Sequence, residues 1–190
     1  MIEFIYNHLA TSLCVALFIA RVGDVLSTYL VTPTLKLESN PLVRKFQWPF
    51  AIVTIPICLV PYYNIAVAIP ILVISLLVSA SNCSKIWLSR AIGEREMHEL
   101  MKSCAQKAPV VASLLFILSP CLFILMLGGL LLLFYPDPMR DWGFYIAIGI
   151  IGYAFALGIY GPLFFLRLRK LGQRDATKSN ESCNARPNPN

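Results

Sequence analysis

The chain has 190 residues, of which 57% are hydrophobic and 14% charged, and its mean hydropathy is +0.68. A chain of this size has too little polar surface to cover a soluble globule, so its composition excludes a soluble domain and predicts a protein solvated by lipid. The net charge of +6 does not indicate nucleic-acid binding, because no basic stripe interleaves with stacking aromatic residues. The six cysteines form no Cys-x-x-Cys pair, which argues against a zinc site.

Apolar runs predict the membrane-spanning helices. Three of the four runs match the roughly 20 to 25 residues of one helical crossing, but residues 46–84 would make a helix of about 58 Å. This run is therefore predicted to fold back as a short hairpin at Pro61-Tyr62-Tyr63-Asn64. The predicted fold class is an all-α membrane protein, a polytopic bundle of about five transmembrane helices in one domain (1–170), with spans near 9–31, 46–61, 65–84, 110–135 and 142–166.

The basic residues predict the orientation. With five spans, 14 of the 16 lysines and arginines share one face, the exceptions being Arg21 in a span and Arg140 on the other side. Four spans would separate Lys36, Arg44 and Lys45 from the other basic clusters. The positive-inside rule thus predicts an outside N-terminus and a cytoplasmic C-terminus in the cell membrane, with anionic lipids as partners of the cytoplasmic face.

Two segments are predicted to lie outside the bilayer. Residues 85–107 have apolar residues at helical spacing with charges between them, which indicates an amphipathic helix on the cytoplasmic surface or an extension of the third span. Within it, Glu94 and His98 share a face, but Lys102 stands where a HExxH motif would need histidine, so a solvated charged face is the better interpretation. The polar tail, 171–190, is predicted to be disordered and cytoplasmic.

Small residues predict close helix packing in the fifth span. Gly152 and Ala156 are four residues apart, as are Ala154 and Gly158, and this spacing lets helix backbones approach. The fourth and fifth spans are therefore interpreted as scaffold.

The first span carries charges where a membrane helix is normally apolar. Arg21, Asp24 and Thr28 lie within about 60° on one helix face, and the spacing lets the guanidinium reach the Asp24 carboxylate. After Pro33, the segment Glu38-Ser39-Asn40-Pro41 leads into the second span. The loop is predicted to bring Glu38 and Asn40 close to Asp24 near the cytoplasmic side, because Asp24 lies about two turns from the end of its helix.

This polar cluster has two interpretations. Its oxygen atoms suit a hard cation such as Na⁺, Mg²⁺ or Ca²⁺, and paired carboxylates can carry a proton. Alternatively, Arg21 and Asp24 form a structural ion pair while Glu38 and Asn40 cap the second helix. The identity of any metal stays open.

The pattern Asp24-x-x-Ser27-Thr28 followed by Glu38-x-Asn40-Pro41 resembles a family of small, uncharacterised bacterial and archaeal membrane proteins with the signature Asp-x-x-Ser/Thr-Thr, then Glu-x-Asn-Pro. The match covers residues 10–90, and Asn82 corresponds to a further polar position. The resemblance implies a three-helix unit with a polar site and implies no substrate.

Three functions remain open. The first is transport or sensing of a small ion or solute through the polar cluster. The second is assembly or scaffolding, in which the cluster is structural and the glycine-lined helices bind a membrane partner or a second copy. The third is a membrane-embedded enzyme using Asp24 and Glu38, although no nucleophile, phosphate-loop or dinucleotide motif supports catalysis. No catalytic residue and no cofactor are predicted.

Overall fold

The computed structural model describes residues 2–138 and 141–184. The described part of the chain is all-helical and contains no strand. Six α-helices and one 3₁₀ helix follow one another in the order α1 (Ile2–Val31), α2 (Pro41–Val53), the 3₁₀ segment (Ile55–Tyr62), α3 (Ile65–Ile92), α4 (Glu94–Lys107), α5 (Val110–Phe134) and α6 (Trp142–Asn184).

Four helical stretches within the described residues are long and apolar enough to cross a membrane: His8–Val31, Ile65–Ile92, Val110–Phe134 and Trp142–Asp175. A fifth is obtained if α2 and the 3₁₀ segment, which meet at an angle of 51°, together form one crossing. The α5 helix is apolar on every side, as expected for a helix surrounded by lipid.

The second predicted span differs from a regular helix. The α2 helix begins at Pro41, where Asn40 caps it by accepting the Leu42 N–H at 2.9 Å. It is broken internally at Gln47, whose φ of 58° lies in the left-handed region, two residues before Pro49. The prolines of the following segment remove further helical hydrogen bonds, so the chain continues as a 3₁₀ helix.

The chain reversal predicted at Pro61-Tyr62-Tyr63-Asn64 coincides with the junction between the 3₁₀ segment and α3. The 3₁₀ segment ends at Tyr62, and Asn64 caps α3 by accepting the Val67 N–H at 3.2 Å.

The α3 helix continues past the predicted end at residue 84. It extends to Ile92, so residues 85–92 belong to it and only Glu94–Lys107 forms the separate helix α4. The break is at Gly93, whose φ of 84° is accessible to glycine at little steric cost.

The predicted disorder of residues 171–190 is not what the structure shows for the part it describes. Helix α6 continues to Asn184, and residues 185–190 lie outside the described residues. The helix is held beyond the apolar span by α4: Arg169 donates to the Ala105 and Ala108 carbonyls at 3.1 and 2.7 Å, and Lys102 pairs with Asp175 at 2.9 Å. These tertiary contacts stabilise a segment whose composition alone indicates disorder.

Contacts between the helices define their directions. Arg21 contacts Ser75 and Thr28 contacts Asn82, a constant offset of 54 residues, so α1 and α3 run parallel. Helices α3 and α6 are also parallel, whereas α5 runs antiparallel to α6. The C-terminal ends of α1, α3 and α6 therefore lie at the same end of the bundle as α4.

Close packing of α6 is found at the predicted Gly152, where a Cβ would lie 3.3 Å from Ile74, and more tightly at Gly149 and Gly161 of the same helix. A Cβ at Gly149 would lie 2.8 Å from Val73 Cβ and 3.0 Å from the Pro70 backbone, and a Cβ at Gly161 would lie 2.8 Å from Ile117. A Cβ at Gly158, by contrast, would meet no atom within 4 Å. The backbone of α6 thus approaches α3 most closely at Gly149, while Gly158 faces an open groove.

Candidate intramembrane polar site

The ion pair expected from the three-residue spacing is present in α1. Arg21 Nη1 lies 2.7 Å from Asp24 Oδ2, and the two side chains are 17% and 16% exposed. The guanidinium also donates to Thr54 Oγ1 at 2.5 Å and to Ser75 Oγ at 3.4 Å. One arginine therefore links α1 to α3 and to the junction between α2 and the 3₁₀ segment.

Two polar atoms beside this pair are buried without a hydrogen-bond partner in the part of the chain that the structure describes. They are Arg21 Nε and Ser79 Oγ. Ser79 lies against Gly23, where a Cβ would be 3.5 Å from its hydroxyl. Buried polar atoms usually have partners, so this part of the interface retains capacity for one further hydrogen-bonding group.

The polar face of α1 meets a polar stripe on α3. Thr28, which is buried, accepts a hydrogen bond from Asn82 Nδ2 at 2.9 Å. Nearer the end of α1, Ser89 Oγ donates to the Val31 carbonyl at 2.6 Å. The stripe on α3 thus consists of residues three, four or seven apart: Ser75, Ser79, Asn82 and Ser89.

The loop between α1 and α2 supplies the second carboxylate. Glu38 Oε1 accepts the Asn40 N–H at 2.7 Å, and its carboxylate is close enough to Asp24 for the two charges to repel. Lys85 and Arg44 face Glu38 and attract it. Burial raises the pKa of Glu38 above its usual range, against the opposing effect of these cations and of the backbone N–H groups of Ser39 and Asn40.

The structure brings the predicted residues together unequally. Asp24 and Glu38 interact electrostatically, and Arg21 neutralises the first of them. The oxygens of Thr28 and Asn40 instead accept hydrogen bonds from Asn82 and Leu42. In the described part of the chain, no group of three or more His, Cys, Asp or Glu side chains is placed to hold a metal ion.

Glu94 has a role that the interpretation as a solvated face did not predict. Its carboxylate accepts hydrogen bonds from the Thr32 hydroxyl at 2.5 Å and from the Thr34 and Lys36 N–H groups at 3.1 and 3.2 Å. Burial acts to raise the pKa of Glu94, but these hydrogen bonds outweigh it and hold the pKa below its usual range. Glu94 therefore fixes the loop that carries Glu38, which includes the buried Leu35 at a φ of 57°.

The sequence contained a signal for some of the missed residues. The serines of α3 fall on one helix face with Asn82, and polar residues repeated at this spacing in an apolar helix indicate an interface. Thr54 and Glu94 carry no such signal, because each contacts the site through long-range packing.

A groove of about 590 Å³ between α5 and α6 lies away from the polar site. Apolar side chains line it almost entirely, together with Ser119 and Gly158. Its chemistry is that of a lipid-facing surface.

Comparison with known proteins adds no relative: no protein-family model, no curated protein and no solved structure matches the chain. The resemblance carried by Asp24, Thr28, Glu38 and Asn40 stays a prediction.

Proposed function

We propose that the protein crosses the cell membrane five times, with its N-terminus outside and its C-terminus in the cytoplasm. The parallel arrangement of α1 and α3 supports this topology, because the chain between two parallel helices must return to the side on which the first one began. The chain leaves α1 at Val31, which Ser89 contacts. It reaches the height of Thr11 by the end of the 3₁₀ segment, because the Thr11 side chain is 3.2 Å from the Tyr62 hydroxyl. Twenty residues of α1 separate these levels, about 30 Å, which equals the thickness of the hydrocarbon core.

The segment between α1 and α3 has the length for this crossing. Its 13 residues of α2 and 8 residues of 3₁₀ helix extend about 20 and 16 Å along their axes. With the 51° bend between them, they reach at most about 32 Å. The basic residues agree, since Lys36, Arg44 and Lys45 lie at the same end of the bundle as α4.

The function that the site supports best is binding of a proton or a small cation from the cytoplasmic side, as part of ion transport or ion sensing. The observation that carries this proposal is the part-buried ion pair of Arg21 and Asp24, beside which Arg21 Nε and Ser79 Oγ have no hydrogen-bond partner among the described residues. A second carboxylate, Glu38 in the α1–α2 loop, lies near enough to act electrostatically on Asp24. Each carboxylate has its own cation, Arg21 for Asp24 and Lys85 for Glu38. An ionisable group inside a bilayer costs several kcal/mol, which makes such groups functional candidates.

The fixed cations define how such a site would work. The two acids are faced by three cations, Arg21, Lys85 and Arg44, so an added proton or Na⁺ must compete with Arg21 or Lys85 for a carboxylate. Movement of either cationic side chain would then free a binding position. The loop of Glu38 is held at α4 by Glu94, which gives the site a stable cytoplasmic boundary.

Ion flux in proteoliposomes tests the proposal. Purified protein is reconstituted with H⁺, Na⁺ or K⁺ gradients, and flux is compared among the wild type, Glu38→Gln and the charge-neutral double variant Arg21→Gln/Asp24→Asn. We expect a flux or a counter-ion response that both variants abolish. The exposed cytoplasmic acid Glu99 provides the control, since Glu99→Gln removes a carboxylate of the same kind outside the site. Flux that is unaltered in both site variants would overturn the proposal.

A structural role is the second candidate, and one observation favours it. Arg21 bridges α1, α3 and Thr54, so the pair joins three elements of the fold. If the double variant folds as well as the wild type and only its flux is lost, the cluster is a site. If both variants keep a normal ion response and only their stability falls, the role of the cluster is structural.

A further inference from the structure

A second group of cations lies at the cytoplasmic end of the bundle, next to the polar site. Arg167 on α6 has its Nη1 atom buried with no hydrogen-bond partner among the described residues. A guanidinium nitrogen without an acceptor is costly to bury, and arginine presents a fork of donors that matches phosphate and carboxylate geometry. The unused donor points to an anionic group as its partner.

A second arginine faces this one from another element. Arg44, in the first turns of α2, is close enough to Arg167 for the two guanidinium groups to repel each other. Two arginines brought together by separate helices gain nothing from each other. An anion between them would remove the repulsion and supply the acceptor that Arg167 lacks.

The other charged groups near these arginines leave the region positive. Arg44 also faces Glu38, and Glu38 in turn faces Lys85. Among the described residues, Arg44, Arg167 and Lys85 are thus linked electrostatically to one carboxylate, Glu38. The surplus can balance a phosphodiester or a phosphate monoester, although Glu38 disfavours an anion placed on its own side of Arg44.

The position along the membrane normal matches a lipid headgroup. The contacts of Gly149 with Val73 and of Gly152 with Ile74 give α3 and α6 an offset of about 77 residues, which sets Arg167 level with Ser89 and Arg90. Ser89 contacts the last residue of α1, where the apolar span ends. Phosphates of the cytoplasmic leaflet occupy this level in the proposed topology.

We propose that Arg44 and Arg167 form a binding site for a phosphate group, supplied by the headgroup of an anionic phospholipid such as phosphatidylglycerol. Free inorganic phosphate has the same recognition chemistry and is the alternative source. The proposal does not require ion handling by Asp24 and Glu38: Arg44 also attracts Glu38, but lipid retention and ion flux are measured separately. It replaces a diffuse attraction between basic residues and anionic lipid by one defined site between two helices.

Lipid retention tests this site. The full-length protein is reconstituted into nanodiscs of phosphatidylcholine with or without one quarter phosphatidylglycerol, and bound lipid is counted by native mass spectrometry after release. The double variant Arg44→Gln/Arg167→Gln is compared with Arg90→Gln, which removes an exposed arginine on α3. We expect the double variant to retain phosphatidylglycerol roughly tenfold less well than the wild type, and Arg90→Gln to match the wild type.

Two further measurements identify the source of the phosphate group and guard against a variant that fails to fold. Inorganic phosphate added to neutral nanodiscs should leave the thermal stability of the wild type unchanged; a stabilisation lost in the double variant would assign the site to soluble phosphate. If the double variant does not insert, Arg44→Gln alone is tested, because Arg167 is the partner with a buried nitrogen that lacks a hydrogen bond among the described residues. Retention of phosphatidylglycerol equal to that of the wild type in the variants would overturn the proposal.

Discussion

The α1–α3 and α5–α6 interfaces are held together by contrasting kinds of contact, polar in the first and apolar in the second. Between α1 and α3, an arginine, an aspartate, an asparagine and several hydroxyl groups form hydrogen bonds across the contact. Between α5 and α6, the side chains are apolar and Gly128 and Gly161 allow close approach. The α5–α6 contact requires only complementary packing, whereas the α1–α3 contact places charged groups in the bilayer, where burying them costs free energy.

The difference teaches where function is to be sought. Apolar packing would have held α1 to α3 just as well, since a hydrophobic replacement of a buried ion pair is often neutral or stabilising. A polar interface in which Arg21 Nε and Ser79 Oγ also have no partner in the described part of the chain is therefore poorly explained by stability alone. The comparison makes α1–α3 the candidate site and α5–α6 the scaffold.

Removing one member of the ion pair should have the largest effect. Asp24→Ala leaves Arg21 as an uncompensated charge with 17% exposure, and we expect a loss of about 3–5 kcal/mol in the free energy of unfolding. Unfolding in mixed detergent and SDS measures it. The double variant Arg21→Gln/Asp24→Ala should recover much of the loss, and a loss equal to the sum of the single variants would show that the pair is not coupled.

The α3–α6 contact should respond to added volume instead of lost charge. Gly149→Ala places a methyl group 2.8 Å from Val73 Cβ and 3.0 Å from the Pro70 backbone, so we expect destabilisation of about 1–3 kcal/mol. In Gly158→Ala on the same helix, the added methyl group meets open space. Alanine has a higher helix propensity than glycine, so stability should stay unchanged or rise by up to about 1 kcal/mol. The same detergent titration compares them, and equal effects would contradict the assigned packing.

Two glutamates of the polar region should give opposite pH dependences. The pKa of Glu94 is lowered, so its stabilisation is present above its unfolded pKa of about 4.3 and is lost as the pH falls through the folded value. The pKa of Glu38 is raised, so stability falls as the pH rises from about 4.3 through its folded pKa.

Matched substitutions separate these contributions. Glu94→Gln should cost about 1–2 kcal/mol near neutral pH and little at acid pH, because a neutral amide accepts the three loop hydrogen bonds less well. Glu96→Gln, which changes an exposed neighbour on α4, is the control. An acid loss of stability that persists in Glu94→Gln would assign the effect to other groups.

The hydrogen bond between Thr28 and Asn82 should matter least. Thr28→Val keeps the shape of the side chain and removes the acceptor, and bonds of this kind between membrane helices contribute on average about 0.6 kcal/mol. Ser84→Ala, which removes a bond within α3 on an exposed face, measures the background. A loss above about 2 kcal/mol would mean that Thr28 belongs to the charged network.

Local chemistry explains what the sequence could predict. Apolar run lengths gave the long helices, the spacing of Arg21 and Asp24 gave their ion pair, and Asn40 before Pro41 gave the start of α2. Each of these depends on residues a few positions apart.

Long-range contacts explain what it could not predict. Residues 171–184 are polar enough for disorder, yet Arg169 and Lys102 tie α6 to α4 across more than 60 residues of sequence. Glu94 likewise reaches a loop 58 to 62 residues away. The 3₁₀ form of the second span arises from prolines, whose presence was visible but whose combined effect on an apolar run was not.

Infrared titration of Glu38 tests most directly whether the two carboxylates share one site. The protonated carboxyl band of Glu38 is assigned by difference from Glu38→Gln, and its midpoint is measured in the wild type and in Asp24→Asn, which keeps an oxygen for Arg21. The band of Asp24 is assigned in the same way, and its midpoint is measured in the wild type and in Glu38→Gln. Two acids that share a site titrate as a coupled pair, so removing one charge should move the midpoint of the other band in at least one of the two variants. Unchanged midpoints in both folded variants would mean that the carboxylates are independent, and they would contradict a shared site.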